Sequence, residues 1–247
     1  MSATHPLISV CLPTARPYAW RRAYDIWRDL TKHLDRVEFI LFFAEMYGFD
    51  RENPPGIAGN PVIVWSEGPS TSITGWNAAA AASSGRLLLM AHDDMCPPKG
   101  WDVDLLKVLP SLREEYALVL ETAEQDYDLA VLTQVRYERL GYVFYPQYRS
   151  EGALQEFYMH AEMDGVNETA PLLRFTHYHP KYGDGLWDQV YAERHGEKAV
   201  QGDHGLFQAR ERLGFPKEIF FREEFNIRNG ETLPPTEEFM RHADHDR

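Results

Sequence analysis

Apolar and polar positions follow two different spacings along the first half of this chain. Short runs that are apolar almost throughout, "LISVCL" (Leu7–Leu12), "VEFILFF" (Val37–Phe43) and "PVIVW" (Pro61–Trp65), read as buried strands. Between the first two, Trp20, Tyr24, Trp27 and Leu30 recur at helical spacing and predict an amphipathic helix over Tyr18–Leu34. Pro54, Pro55 and the neighbouring glycines keep "GFDRENPPGIAGN" out of regular structure. Ser70, Thr71 or Ser72 is placed to cap a helix through "ITGWNAAAAASS", which Gly85 ends, and "RLLLMA" follows as a fourth strand. Strands alternating with helices predict an α/β fold with a mixed, mostly parallel central sheet flanked by helices.

The second half is patterned less regularly. Trp101–Leu112 predicts a helix with Asp102 and Asp104 in its first turn, where the helix dipole favours acids. A strand at Ala117–Glu121 and a strand pair at Leu129–Arg136 and Gly141–Tyr145 follow. Then come a helix at Leu154–Met163, a strand at Leu172–His177 and a helix at Trp187–His195. The acidic end "TEEFMRHADHDR" reads as a mobile tail. With no repeat or linker, residues 1–247 are expected to form one domain, with halves at 1–112 and 113–235 and the tail at 236–247.

Charge and cysteine content narrow the function classes. A formal net charge of −13 argues against a broad grip on nucleic acid or anionic lipid, although Arg16, Arg21, Arg22 and Arg28 could form a local groove. Cys11 and Cys96 are the only two cysteines, so no disulfide framework is implied and a cytoplasmic setting is expected. No run approaches the roughly 18–20 apolar residues of a membrane span, and no secretory signal pattern opens the chain.

The chemistry concentrates at one edge of the expected sheet. The fourth strand stops on His92, Asp93 and Asp94. Adjacent carboxylates repel unless water screens them or a cation sits between them. Ligands of α/β sheets gather at the carboxyl ends of strands, where Pro13, Thr14 and Arg16 and, after the second strand, Glu45 also fall. Such a pair suits Mn2+ or Mg2+, which take oxygen ligands and bridge to substrate phosphates.

The order of "ISVCLPTARP", a strand ending at Glu45, "GWNAAAAASSG" and "LLLMAHDDMCPPKGW" resembles the nucleotide-sugar half of family-two glycosyltransferases of the GT-A fold, over about the first 110 residues. The resemblance implies a Rossmann-like sheet with an elaborated C-terminal acceptor half. It implies transfer of a sugar from a nucleotide-diphospho-sugar, expected to be UDP-linked, to an acceptor hydroxyl, with inversion expected and a retaining reaction the open alternative. The family's Asp-x-Asp motif falls on His92, Asp93 and Asp94, so its first acid is a histidine here. Asp94 is then the metal ligand. Pro13, Thr14, Arg16, Glu45, Asn77 and Asp93 bind the nucleotide sugar.

The second half, with "YERLGYVFYPQYRSEGALQEFYMHAEMDGV", "LRFTHYHP" and "GDGLWDQVYAER", is similar to phage-type and environmental members of the group. The general base those enzymes need would fall on Leu154, which cannot accept a proton. Glu156 is the expected substitute, followed by Glu151, Asp184 and Asp188. His177 and His179, two apart on the expected strand, are candidates for a further metal ligand or ordinary packing residues. Asp203 and His204 rank lower as ligands. Trp76, Trp101 and Trp187 could stack on a sugar or belong to the core. The acceptor stays open among a glycan, a small molecule and a modified base of phage DNA. A non-catalytic nucleotide-sugar-binding module and, last, a nucleotidyltransferase are the competing readings.

Overall fold

The computed structural model describes residues 6–44, 48–49, 51, 57–66, 68, 70–122, 127–180, 185, 187–194, 197–217, 227–228 and 231–232. The first half runs β1 (Ile8–Thr14), α1 (Trp20–Leu30), β2 (Val37–Phe43), β3 (Val62–Trp65), α2 (Ser72–Ala81), β4 (Leu87–Met90), β5 (Met95–Cys96) and α3 (Trp101–Val108). The second runs β6 (Ala117–Glu121), β7 (Tyr127–Thr133), α4 (Gln134–Leu140), α5 (Ala153–Met163), β8 (Asn167–Glu168), β9 (Thr176–His177), α6 (Gln189–Arg194) and α7 (Glu197–Arg212). A short ribbon, β10 (Ile227–Arg228) with β11 (Glu231–Thr232), closes the described chain.

One seven-stranded sheet, in the order β3-β2-β1-β4-β7-β6-β8, crosses from the first half into the second. The first four strands are mutually parallel; β7 lies antiparallel to both β4 and β6. This is the mixed, mostly parallel α/β sheet that the alternation of strands and helices predicts. Strand periodicity sorts the apolar runs onto two faces. Ile8, Val10, Leu12, Leu87 and Leu89 pack with α1 and α3, whereas Cys11, Leu88 and Met90 pack with α2, α5 and α7. Burial on both faces explains why these strands are apolar without alternation. Among the described residues, no helix is long and apolar enough to cross a membrane.

Helix α2 lies very close to the sheet. A side chain at Gly75 would come within 2.6 Å of Pro13 and 3.0 Å of Phe42, so only glycine fits there. Of the three possible caps, Thr71 takes the position: its hydroxyl accepts the Thr74 N–H in a reciprocal capping box.

The second half differs from the sequence pattern in three places. The chain from Gln134 to Leu140 forms α4, which Gly141 ends in a left-handed conformation (φ 79°), and residues 141–145 form no strand. The apolar run there is buried, and Asn77 supplies the polar partners that a neighbouring strand would otherwise give. Its Oδ1 accepts the N–H groups of Val143 (2.9 Å) and Phe144 (3.1 Å), and its Nδ2 donates to the Phe144 carbonyl (2.7 Å). We expect Asn77→Ala to destabilise the fold by about 2–3 kcal/mol by stranding those buried backbone groups, read as a lower urea midpoint.

The second difference is α7, which sequence pattern did not foretell because Gly202 and Gly205 interrupt it. Packing overrides that propensity, since Asp203, Leu206, Phe207, Ala209 and Arg210 are all buried. The expected strand at Leu172–His177 is reduced to Thr176–His177 with a bridge from Phe175 to Thr122.

Candidate functional site

The end of β4 is fixed before any functional group is reached. Ala91 is buried, and its carbonyl accepts the indole N–H of Trp76 at 2.9 Å. The chain then turns through His92, Asp93 and Asp94 into β5, which pairs antiparallel with β9, setting Met95 opposite His177 and Cys96 opposite Thr176. The Tyr178 N–H donates to the Asp94 carbonyl at 2.8 Å. This small ladder carries His177 from the second half to the carboxylates of the first.

The result is a compact group. His92, Asp94 and His177 each offer one ligand atom, and those atoms lie within 4.8 Å of one another. Asp94 Oδ1 is buried without a hydrogen bond of ordinary geometry, with His177 Nε2 3.4 Å away. The other oxygen, Oδ2, accepts the Tyr191 hydroxyl. Burial disfavours the Asp94 charge, but His177, His92 and Tyr191 together hold its carboxyl well below the usual carboxylate range. One ionised carboxylate and two imidazoles form a donor set that fits a divalent cation. Two nitrogens favour Mn2+ over Mg2+, which prefers oxygen.

Beside this group runs a buried charge network. The Thr14 hydroxyl accepts the Arg16 N–H at 3.2 Å and donates to Asp93 Oδ2 at 2.9 Å, tying the end of β1 to the end of β4. Arg16 is 5% exposed. Its Nη1 donates to Asp93 Oδ1 and stands 3.8 Å from Asp94 Oδ2, and its Nε donates to Asp188 Oδ2 at 2.7 Å. Its guanidinium also lies 4.6 Å from the centre of the Tyr191 ring, while Nη2 is buried with no hydrogen-bond partner among the described residues.

Asp188 caps α6, its Oδ1 accepting the Tyr191 N–H at 2.9 Å, and Oδ2 also accepts the Tyr18 hydroxyl. Burial opposes its charge, but the bonds from Tyr18 and Arg16 prevail and lower its pKa. Capping here falls to Asp188; Asp184 and Glu45 lie outside the described residues.

Other expected site residues are placed elsewhere. Pro13 is buried under Gly75, and Asn77 is committed to the backbone of Val143 and Phe144. Leu154 packs against the core. Glu156 is 3% exposed, and both of its oxygens accept from Arg210 at 2.7 Å, with the Tyr148 hydroxyl adding a third bond at 2.9 Å. Arg210 in turn lies 3.4 Å over the Tyr145 ring. The buried Glu156–Arg210 pair joins α5 to α7.

Asp203 is equally buried and accepts the N–H groups of Arg149, Ser150 and Glu151, so it shapes the turn that carries Glu151. His204 is exposed and contacts Gln208 along the same helix. His179 packs edge-on against Tyr191 at 4.8 Å and stands outside the His92–Asp94–His177 group. Trp101 is core, Trp76 lies beneath His92, and Trp187 is 65% exposed.

The stability role of Glu156 is testable. Arg210→Met alone leaves a buried carboxylate unpaired and should cost about 3–5 kcal/mol in chemical denaturation. Adding Glu156→Gln should recover much of that loss by removing the stranded charge.

No protein-family model matches the chain, and no curated protein matches it. Solved structures do. S. aureus TarS 1–349 in complex with UDP superposes with a TM-score of 0.55 at 11% identity, over 83% of this chain and 71% of that one. The mannosyltransferase PcManGT from Pyrobaculum calidifontis, in complex with GDP-Man and Mn2+, gives 0.55 at 14% identity, over 98% and 69%. Glucosyl-3-phosphoglycerate synthase from Mycobacterium tuberculosis, with Mn2+, UDP and phosphoglyceric acid, gives 0.51 at 15% identity, over 72% and 74%. The chain spans 59% and 43% of two further TarS structures. At these identities the likeness establishes the GT-A fold.

Proposed function

We propose that this protein is a metal-dependent glycosyltransferase that moves a sugar from a nucleoside-diphospho-sugar to an acceptor hydroxyl with inversion. The observation that carries the reading is the His92–Asp94–His177 group at the carboxyl end of β4, within a GT-A sheet. Its neighbours in fold bind UDP or GDP-Man, two of them together with Mn2+, and this supports both the donor class and the metal. The same donor set would hold Fe2+, but the buried Arg16 beside it suits an anionic diphosphate and favours the transferase.

Asp94, His92 and His177 would hold the metal. Bound there, Mn2+ supplies Lewis-acid stabilisation of the charge that gathers on the departing diphosphate. Arg16 offers its unpartnered Nη2 to a diphosphate oxygen, and Asp93 with Thr14 keeps that guanidinium in place.

Asp188 is the general base in this account. A carboxylate has about four acceptor positions, and Tyr191, Arg16 and Tyr18 occupy three kinds of contact on it, leaving room for one hydroxyl. Its side chain is also partly open to solvent, unlike that of Glu156. Asp188 takes the acceptor proton as the acceptor oxygen bonds to the anomeric carbon. The carbon–oxygen bond to the diphosphate breaks, and its electron pair leaves with the nucleotide. Tyr191 and Arg16 keep the base near the metal ligands.

Incubation with UDP- and GDP-sugars and Mn2+, followed by chromatography of the released nucleotide, tests the activity. Release of UDP or GDP that stops with chelator is expected. Release of pyrophosphate would point to a nucleotidyltransferase instead, and binding without release to a non-catalytic module.

A further inference from the structure

Two large aromatic side chains bracket Asp188 and face solvent, which a soluble surface does not require for folding. Trp187 precedes it in the chain and is 65% exposed; Tyr18, whose hydroxyl donates to it, is 67% exposed. The indole is not loose. It lies nearly parallel to Tyr191 (21° between planes, centroids 6.1 Å apart), and Tyr191 is itself fixed by Asp94, Arg16 and His179. One indole face is therefore backed by a ring bonded to the metal-ligand carboxylate. The exposed remainder of the indole flanks the proposed base.

We propose that Trp187, backed by Tyr191, forms the platform of an acceptor subsite that takes the apolar face of a neutral sugar ring. The acceptor is then a carbohydrate, not a nucleic acid. This rests on the transferase reading of the neighbouring site. A pyranose presents C–H groups on its flat faces and hydroxyls around its rim. Stacked on Trp187, it meets an aromatic face with those C–H groups and carries a rim hydroxyl to Asp188 in the next residue.

Charge separates this occupant from a polyanion. Asp93, Asp94 and Asp188 surround the single guanidinium of Arg16, and the whole chain carries −13. With the metal and Arg16 taken up by the donor diphosphate, Asp188 and the net charge of −13 would repel a phosphate backbone, whereas neutral hydroxyls pair readily with a carboxylate.

The test uses ligand-observed saturation-transfer NMR on the full chain with four neutral probes, cello-, malto-, chito- and mannotetraose, and with a single-stranded DNA 12-mer. At least one oligosaccharide should bind through its ring C–H protons. Trp187→Ala should weaken that binding about tenfold or more, and Trp187→Phe should restore most of it. Thermal melting confirms that both variants fold. Binding of the DNA and none of the sugars, binding of no probe at all, or sugar binding unmoved by Trp187→Ala would each overturn the platform. UDP and GDP titrations with Mn2+ on the wild type run alongside. Their failure would count against the transferase reading, whereas failure of the sugar arm alone would leave that reading standing.

Discussion

Asp94→Ala is expected to lower sugar transfer by at least about 1,000-fold at saturating donor and Mn2+, since metal stabilisation of leaving-group charge is worth several kcal/mol. Asp94 contributes the carboxylate of the His92–Asp94–His177 group, and among the described residues no other acid belongs to it. Asp93 is held by Arg16 and Thr14 and is not one of the grouped ligands. His177→Ala should cost less, about 10- to 100-fold, and raising Mn2+ should recover part of its activity because two ligands remain. A steady-state comparison at several Mn2+ concentrations separates these outcomes. Equal, Mn2+-independent losses in both variants would mean that the group does not hold a metal.

Asp188→Asn should lower kcat about 100- to 10,000-fold, the range of a positioned general base. The amide keeps an oxygen for the Tyr191 N–H, so the cap of α6 survives, but it cannot take a proton. Because Asp188 is not one of the grouped metal ligands, the loss should appear in kcat with little change in Mn2+ dependence. A kcat within about threefold of wild type would transfer the base to another acid. Glu151 is then next, since Asp203 fixes the turn on which it sits.

The fold was largely legible because β1, β2 and β4 are buried on both faces, which leaves a continuous apolar signature. The edge of the sheet where ligands gather followed from that order; of the residues expected there as metal ligands, Asp94 and His177 lie in one group and His179 stands outside it. What could not be read was commitment. Asn77, Pro13 and Glu156 look equally available in sequence, yet each is spent on packing or on buried hydrogen bonds. The reverse holds for His92, which departs from the expected acid but stands within the metal group. Tyr191 and Tyr18 carried no local signal, because their roles depend on contacts across 97 and 170 residues of chain. Asp188 stood last among the expected bases, and its cap of α6 shows only in the structure, where Oδ1 accepts the Tyr191 N–H.

Helix α7 marks the other limit of pattern reading. Two glycines hid it, although it supplies both Asp203, which shapes the Glu151 turn, and Arg210, which neutralises Glu156. Residues seven apart on a helix share a face, and that face joins α7 to the turn at Arg149–Glu151 and to α5.

The central claim is that a divalent metal at Asp94 joins the protein to a nucleoside diphosphate. Calorimetric titration of UDP and of GDP into the wild type and Asp94→Ala, each with Mn2+ and with chelator, tests it most directly. The account predicts binding of at least one nucleotide by the wild type that requires Mn2+ and disappears in the variant. Binding of equal strength in all conditions, or none in any, would contradict it.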